Sequence, residues 1–393
     1  METATYNKRI SQMKPSASLV LMSRAKEMQK TDASVIGLAG GEPDFPTPDR
    51  ICMEAVRCMA QGYTHYTIGA GLPELRARIQ KKLAEDNRIL CSAEDILVMP
   101  GGKYAIYAAV NAILNEGDET IILNPAWVSY EPIVLSAGGV PVLVDLDYRK
   151  NYEITREALE AAVSPRTRML ILNYPNNPTG RVLSRKEADA VEAFLLAHPN
   201  VLLLSDEIYE RLLYDGNENV SMASYESVRD RVLTANGFSK CAAMTGWRLG
   251  YLVAPKPYFD PIFKLCQHSI SCVSGFVQKA GVVALDCKEE METMVSIYNE
   301  RRSLFVSKLN EIPGVHCEAP QGAFYAWAFF DIKGMSSDAL CEYLLENAKV
   351  VGMPGTAYGE THVAAMRFSF ANATEDMKIA GERIKDALLK LQM

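Results

Sequence analysis

The stretch NGFSKCAAMTGWRLGY, residues 236–251, runs out of one apolar run, VLT at 232–234, and into another, LGYLV at 249–253. It carries a single lysine, Lys240, among small residues, and an arginine, Arg248, eight positions later. A strand over 232–234 delivers Lys240 to the interior, and a turn rich in Gly, Ser, Thr and Ala lets a ligand approach the backbone closely. A desolvated lysine gives up its proton more easily and becomes a nucleophile toward an aldehyde. Arginine is the natural clamp for a phosphate, because its fork meets two phosphate oxygens at once. Together they suit an aldehyde that carries a phosphate, the description of pyridoxal 5'-phosphate. A lysine and an arginine alone are more often surface charge, so the rest of the chain has to carry the reading.

Outward from this stretch, short apolar runs recur at 96–99, 120–123, 140–144, 169–172 and 201–204, with longer amphipathic segments between them. Continuous apolar strands separated by helices are what a buried, mostly parallel sheet requires. With 232–234 and 249–253 they predict seven strands in one large doubly wound α/β layer. Upstream, a helical stretch at 18–29 is followed by IGLAGGEPDF at 36–45, whose glycines and proline mark a crossing segment. Beyond 286 the pattern changes to long charged helices, 288–309 and 373–391, with short strands near 324–329 and 366–370. The expected organisation is a large domain at 45–285 and a smaller α+β domain built from 1–44 and 286–393. At 393 residues, a large and a small unit are also what chain length predicts.

Composition narrows the function. The 48% hydrophobic and 23% charged content is ordinary for a globular enzyme. A net charge of -7 gives no footprint for nucleic acid and argues against a membrane-surface role. The opening METATYNKRI lacks an apolar signal core, and no run is long enough to span a bilayer, so a cytoplasmic location is expected. The 9 cysteines form no C-x-x-C pair, which favours core thiols over disulfides or zinc.

In open α/β sheets ligands sit beyond the carboxyl ends of the strands, so the residues after each apolar run matter most. After 99 comes PGGKY, where Gly101 and Gly102 open a helix and leave free N–H groups for a phosphate, or else form a plain strand–helix turn. After 123 comes NPAW, whose Trp127 stacks on an aromatic cofactor or serves as core. After 172 comes NYPNNPTG, a proline-locked loop able to aim the amide of Asn177, with ordinary turn chemistry as the alternative. After 204 comes SDEIY. Asp206 emerges from an apolar run and needs a proton or a positive partner, which a pyridinium nitrogen supplies; a structural N-cap is the other reading.

The ordered set GEPDFPTP, YTIGAGLPELR, PGGK, NPAWVSY, NYPNNPTG, SDEIYE, NGFSKCAAMTGWRLGY, PQGAFYAW and MRFSFA resembles the class I/II aminotransferases, fold-type-I pyridoxal-phosphate enzymes, in their aspartate aminotransferase-like branch. The likeness covers nearly the whole chain. It implies that Lys240 forms the Schiff base and later carries the proton, and that Asp206 keeps the ring nitrogen protonated so that the ring accepts electrons. It implies further that Tyr209 and Asn177 bond the phenolic oxygen, and that Trp127 stacks on the ring and borders the substrate. Arg248 and the backbone at Gly102 and Lys103 hold the phosphate. Tyr66 reaches the phosphate of a neighbouring subunit, which implies a homodimer with shared sites. Arg367, with Gly41 and Asn177, takes the substrate α-carboxylate. The family often carries a phosphate-binding serine three places before the lysine. Here that place is Gly237, and Ser239 contributes only if the loop turns its hydroxyl inward.

The expected activity is transfer of an amino group from an L-amino acid to a 2-oxo acid. β-Elimination of the C–S lyase type shares the same lysine and is the alternative within the fold. A non-catalytic pyridoxal-phosphate sensor, or a nicotinamide dehydrogenase lacking a full glycine fingerprint, fits less well. The helix after Lys103 has no lysine or arginine through 115, which leaves the amino donor open.

Overall fold

The computed structural model describes residues 7–13, 15–332 and 334–392. The first six residues of the N-terminal stretch, read above for the absence of a signal core, lie outside them. The seven expected strands form as β1 (Ile96–Met99), β2 (Glu119–Asn124), β3 (Val140–Asp145), β4 (Thr167–Asn173), β5 (Leu202–Asp206), β6 (Val232–Gly237) and β7 (Gly250–Val253). They make one sheet in the order β1-β7-β6-β5-β4-β2-β3. Every neighbouring pair is parallel except the two that involve β7. Apart from the edge strand β3, these strands are buried along almost their whole length, which explains their unbroken apolar runs.

Several strands extend past the apolar runs that announced them. Asn124 pairs with Asp145, and Asn173 with Asp206, so polar residues still complete the ladder at the carboxyl ends. Ladder bonds belong to the backbone, and a hydrophobic pattern cannot register them. Those ends form one rim, and the site lies along it.

A second, four-stranded antiparallel sheet has the order 353–354, Ala365–Ser369, Tyr325–Phe330, Val315–Cys317. The helices Lys288–Asn310, Ser337–Ala348 and Thr374–Gln392 accompany it. Tyr298, Phe305, Phe324, Tyr325, Phe368 and Phe370 are fully buried there. Truncating one of the phenylalanines to alanine would cost about 3–5 kcal/mol. The helix 337–348 and the strands 315–317 and 353–354 were not anticipated from sequence.

The crossing segment is tied to the C-terminal part of the chain at two points. Ile36–Gly37 pairs in parallel with Val350–Val351. Further on, Arg301 of the long helix donates to both carboxylate oxygens of Asp44 at 2.8 Å. Gly40 and Gly41 are thereby held over the rim of the large sheet. All nine cysteines are free thiols, and among the described residues no helix is long and apolar enough to cross a membrane.

Candidate active site

A cavity of about 460 Å³ opens on the rim of the large sheet. Each of its walls follows from the fold. Asp206 is the last residue of β5, and Ser239 and Lys240 leave the end of β6. Arg248 lies two residues before β7, which starts at the same rim because it runs antiparallel. Gly102 and Lys103 open the helix after β1, and Trp127 follows β2. Asn177 lies in the loop after β4, and Tyr209 in the turn after β5. Gly41 arrives from the crossing segment, and Arg367 from the middle of strand Ala365–Ser369. The residues singled out from sequence line this cavity except Gly101, which adjoins it beside Gly102, and Tyr66, which is 89% exposed.

Lys240 sits where a charge is expensive. Burial pulls its ammonium down to about 8; Glu42 opposes the shift, while Arg248 and Arg367 reinforce it. Its nitrogen donates to the Gly41 carbonyl and lies 5.9 Å from the ring centres of Tyr209 and Phe324. Asp206 is perturbed the opposite way. Burial pushes its carboxyl up to about 6, against the hydroxyl of Tyr130, which donates to Oδ2 at 2.7 Å. The Ile208 amide donates to Oδ1 at 3.3 Å, a local turn contact with no helix to cap. A cavity holding an amine that deprotonates near neutrality and a carboxyl that ionises near it can exchange protons with a ligand.

Arg367 is 2% exposed. It donates to Asn177 Oδ1 at 2.9 Å and to the carbonyls of Ala39 at 2.6 Å and Gly40 at 3.3 Å. Its guanidinium also lies 4.2 Å from the Tyr325 ring centre. Asn177 is itself fixed by Asn173, which accepts from its amide at 2.9 Å. The partners of Arg367 are neutral acceptors, so its charge is unbalanced and its fork suits a carboxylate. Tyr209 pairs through its hydroxyl with that of Tyr325 at 2.7 Å, and burial holds its phenol well above the usual range.

At the other end, Arg248 donates to Thr245 O at 2.7 Å and to Pro100 O at 3.4 Å. Gly101, at φ +89°, precedes the helix Gly102–Ile113; a Cβ there would lie 2.5 Å from Arg248 Nη2. Glycine therefore lets the guanidinium meet the helix N-terminus, which makes an anion site. The glycine at 237 has a similar cause. It faces Gly250 across the β6–β7 ladder, and a Cβ would come within 2.8 Å of the Gly250 Cα. A serine has no room at that place.

Sequence reading missed Tyr130, Tyr325 and Glu42. Tyr130 and Tyr325 stand inside the quoted NPAWVSY and PQGAFYAW segments, yet a tyrosine among apolar residues reads as core until its hydroxyl partner is known. Glu42, joined to the Thr245 hydroxyl, lies in the crossing segment, where only the glycines and the proline were read.

The family described as aminotransferase class I and II matches residues 33–384. The aspartate aminotransferase of Musicola paradisiaca is 39% identical over 385 residues, spanning 97% of this chain and 96% of its own. Among solved structures, the aspartate aminotransferase of Rhizobium meliloti superposes with a TM-score of 0.94 at 36% identity, covering 98% of this chain and 99% of that one. The Thermus thermophilus aspartate aminotransferase solved with maleate gives 0.92 at 35% identity, over 98% and 100% of the two chains.

Proposed function

The chain belongs to the aminotransferase class I and II family and moves an amino group from an L-amino acid to a 2-oxo acid, and we propose that it does so on pyridoxal 5'-phosphate with a dicarboxylic amino acid as donor. The cavity suits that cofactor in size and in chemistry. It joins a helix N-terminus beside a guanidinium, a lysine of lowered proton affinity and a buried carboxyl within one set of walls. Bound there, pyridoxal phosphate supplies an aldehyde that condenses with amines and a pyridinium ring that accepts the electron pair left by the α-proton.

The protein's own groups do the rest. Lys240 Nζ offers the amine and then holds the migrating proton. Asp206 keeps a proton on the ring nitrogen, and Tyr209 and Asn177 address the phenolic oxygen. Trp127 covers the ring face. Arg248, Ser239 and the amides of Gly102 and Lys103 take the phosphate, while Arg367 and the Gly41 backbone take the donor's α-carboxylate. Residues 45–285 form the cofactor-binding domain in this reading, with 1–44 and 286–393 as the smaller one, and the enzyme works in the cytoplasm.

Tyr66 belongs to the partner's site in a homodimer. Support for this comes from its exposure and from the apolar side chains of Met53, Val56, Met59 and Ile68, which stand exposed along the same segment.

The donor class rests on one observation. The Lys103 ammonium lines the cavity 4.9 Å from the Trp127 ring centre, and burial and then Arg248 lower its proton affinity. No carboxylate pairs with it among the described residues. A cation in that state is stabilised by a ligand anion beyond the α-carboxylate, which a dicarboxylic acid carries. Thus the cation missing from the helix after Lys103 is Lys103 itself. Lys103→Met should lower kcat/KM for aspartate and glutamate by about 10- to 100-fold while alanine and phenylalanine change less than about threefold. A uniform fall across donors would assign Lys103 to the cofactor instead.

A further inference from the structure

Tyr130 opens the helix Tyr130–Ser136 just after the Trp127 loop and is almost fully buried. Three contacts fix it. Its amide donates to the Trp127 carbonyl at 3.1 Å, and its ring meets the Trp127 indole edge to face at 5.2 Å. Its hydroxyl donates to Asp206 Oδ2 at 2.7 Å. Burial and the charge of Asp206 hold its phenol well above the usual range, so it remains a neutral donor. The groups that face the Asp206 carboxyl are the Tyr130 hydroxyl from beyond β2, the Ile208 amide and Tyr209 from its own turn, and Lys240 from beyond β6. Of these, Tyr130 gives the one short side-chain hydrogen bond.

We propose that Tyr130 is a positioning residue for the transfer reaction: its hydroxyl fixes the rotation of the Asp206 carboxylate and keeps it ionised, and so sets how tightly the ring nitrogen of the cofactor is held. The inference rests on the reading of Asp206 as the partner of that nitrogen. A hydroxyl donating to a buried carboxylate stabilises the charged form, which burial alone would neutralise. Without that donor, Asp206 keeps its proton to higher pH and meets a protonated ring as a neutral group.

Tyr130→Phe retains the ring and its contact with Trp127 while deleting the hydroxyl. Apoprotein should bind pyridoxal 5'-phosphate about 10- to 100-fold more weakly after this change, the loss expected for a hydrogen bond to a charged group. The acid side of the binding curve, where affinity falls as Asp206 gains its proton, should move to higher pH by about one unit. In an Asp206→Asn background, where no charge remains to stabilise, Tyr130→Phe should change affinity by less than about threefold. Affinity unchanged by Tyr130→Phe, or an acid side that stays in place, overturns the proposal. So do equal losses in the two backgrounds, the mark of a packing role. An unsubstituted chain that binds no pyridoxal phosphate defeats the underlying cofactor reading, and this inference with it.

Discussion

Two groups of cations in this molecule, one away from the cavity and one lining it, are handled in opposite ways. Away from the cavity, Lys82 meets Glu210, which Asn87 also contacts. Arg301 meets Asp44 at 2.8 Å, and Arg302 meets Asp215 at 2.7 Å. Around the cavity, Lys240, Arg248 and Arg367 donate to carbonyls or to an amide oxygen, and Lys103 lies over an indole. Neutral acceptors satisfy hydrogen-bond geometry but leave the charge standing. The first group is closed chemistry that holds elements together. The second is an open demand for anions, which the amino-acid carboxylate and the phosphate proposed above would meet.

The difference can be attacked from either side. Lys240→Ala should cut turnover by at least about 10⁴-fold and abolish the visible absorbance of lysine-bound cofactor. Its melting temperature in the apo form should stay level or rise, because an uncompensated buried charge has gone. A large drop in apo stability would place Lys240 with the closed group. Glu210→Gln should do the reverse: strand Lys82 and lower unfolding free energy by about 3–5 kcal/mol, with kcat/KM within about threefold wherever the protein stays folded. Denaturant titration alongside steady-state kinetics reads both. The smallest effect concerns proton affinity. Uptake of pyridoxal phosphate by apoprotein requires neutral Lys240, whose ammonium titrates at about 8. The stopped-flow rate should therefore fall about tenfold per pH unit below that point; a flat profile down to pH 6 would show the amine to be far less protonated than its setting implies.

How much of this was legible in the chain depended on whether the signal was local. Five of the strands announced themselves as apolar runs because burial on both faces leaves no polar alternation, and β7 did so too despite its reversed direction; the edge strand β3 carries an apolar run although Val140 and Leu143 stand exposed. Short elements such as Met353–Pro354 offered too few residues for any period to show. In the site, Lys240 and Asp206 stood out because a charge at the end of an apolar run is chemically anomalous wherever it folds. Tyr130 and Tyr325 gave no such sign. Their importance lies in which hydroxyl meets which oxygen across more than seventy positions of chain, and tertiary packing alone decides that. The donor-side role proposed for Lys103 was hidden similarly, since PGGK points to the backbone at the helix start and gives no sign of where the side chain lies.

The one antiparallel strand of the seven-stranded sheet, Gly250–Val253, has one more implication. Reversing direction there returns the chain to the rim it has just left, so amine and guanidinium come from a single covalent excursion. Circular permutants opened on distant surface loops should keep that pair in register. A cut placed between 241 and 247 would turn one rigid loop into two loose tails, and the enzyme would lose its hold on cofactor while the sheet beneath still formed.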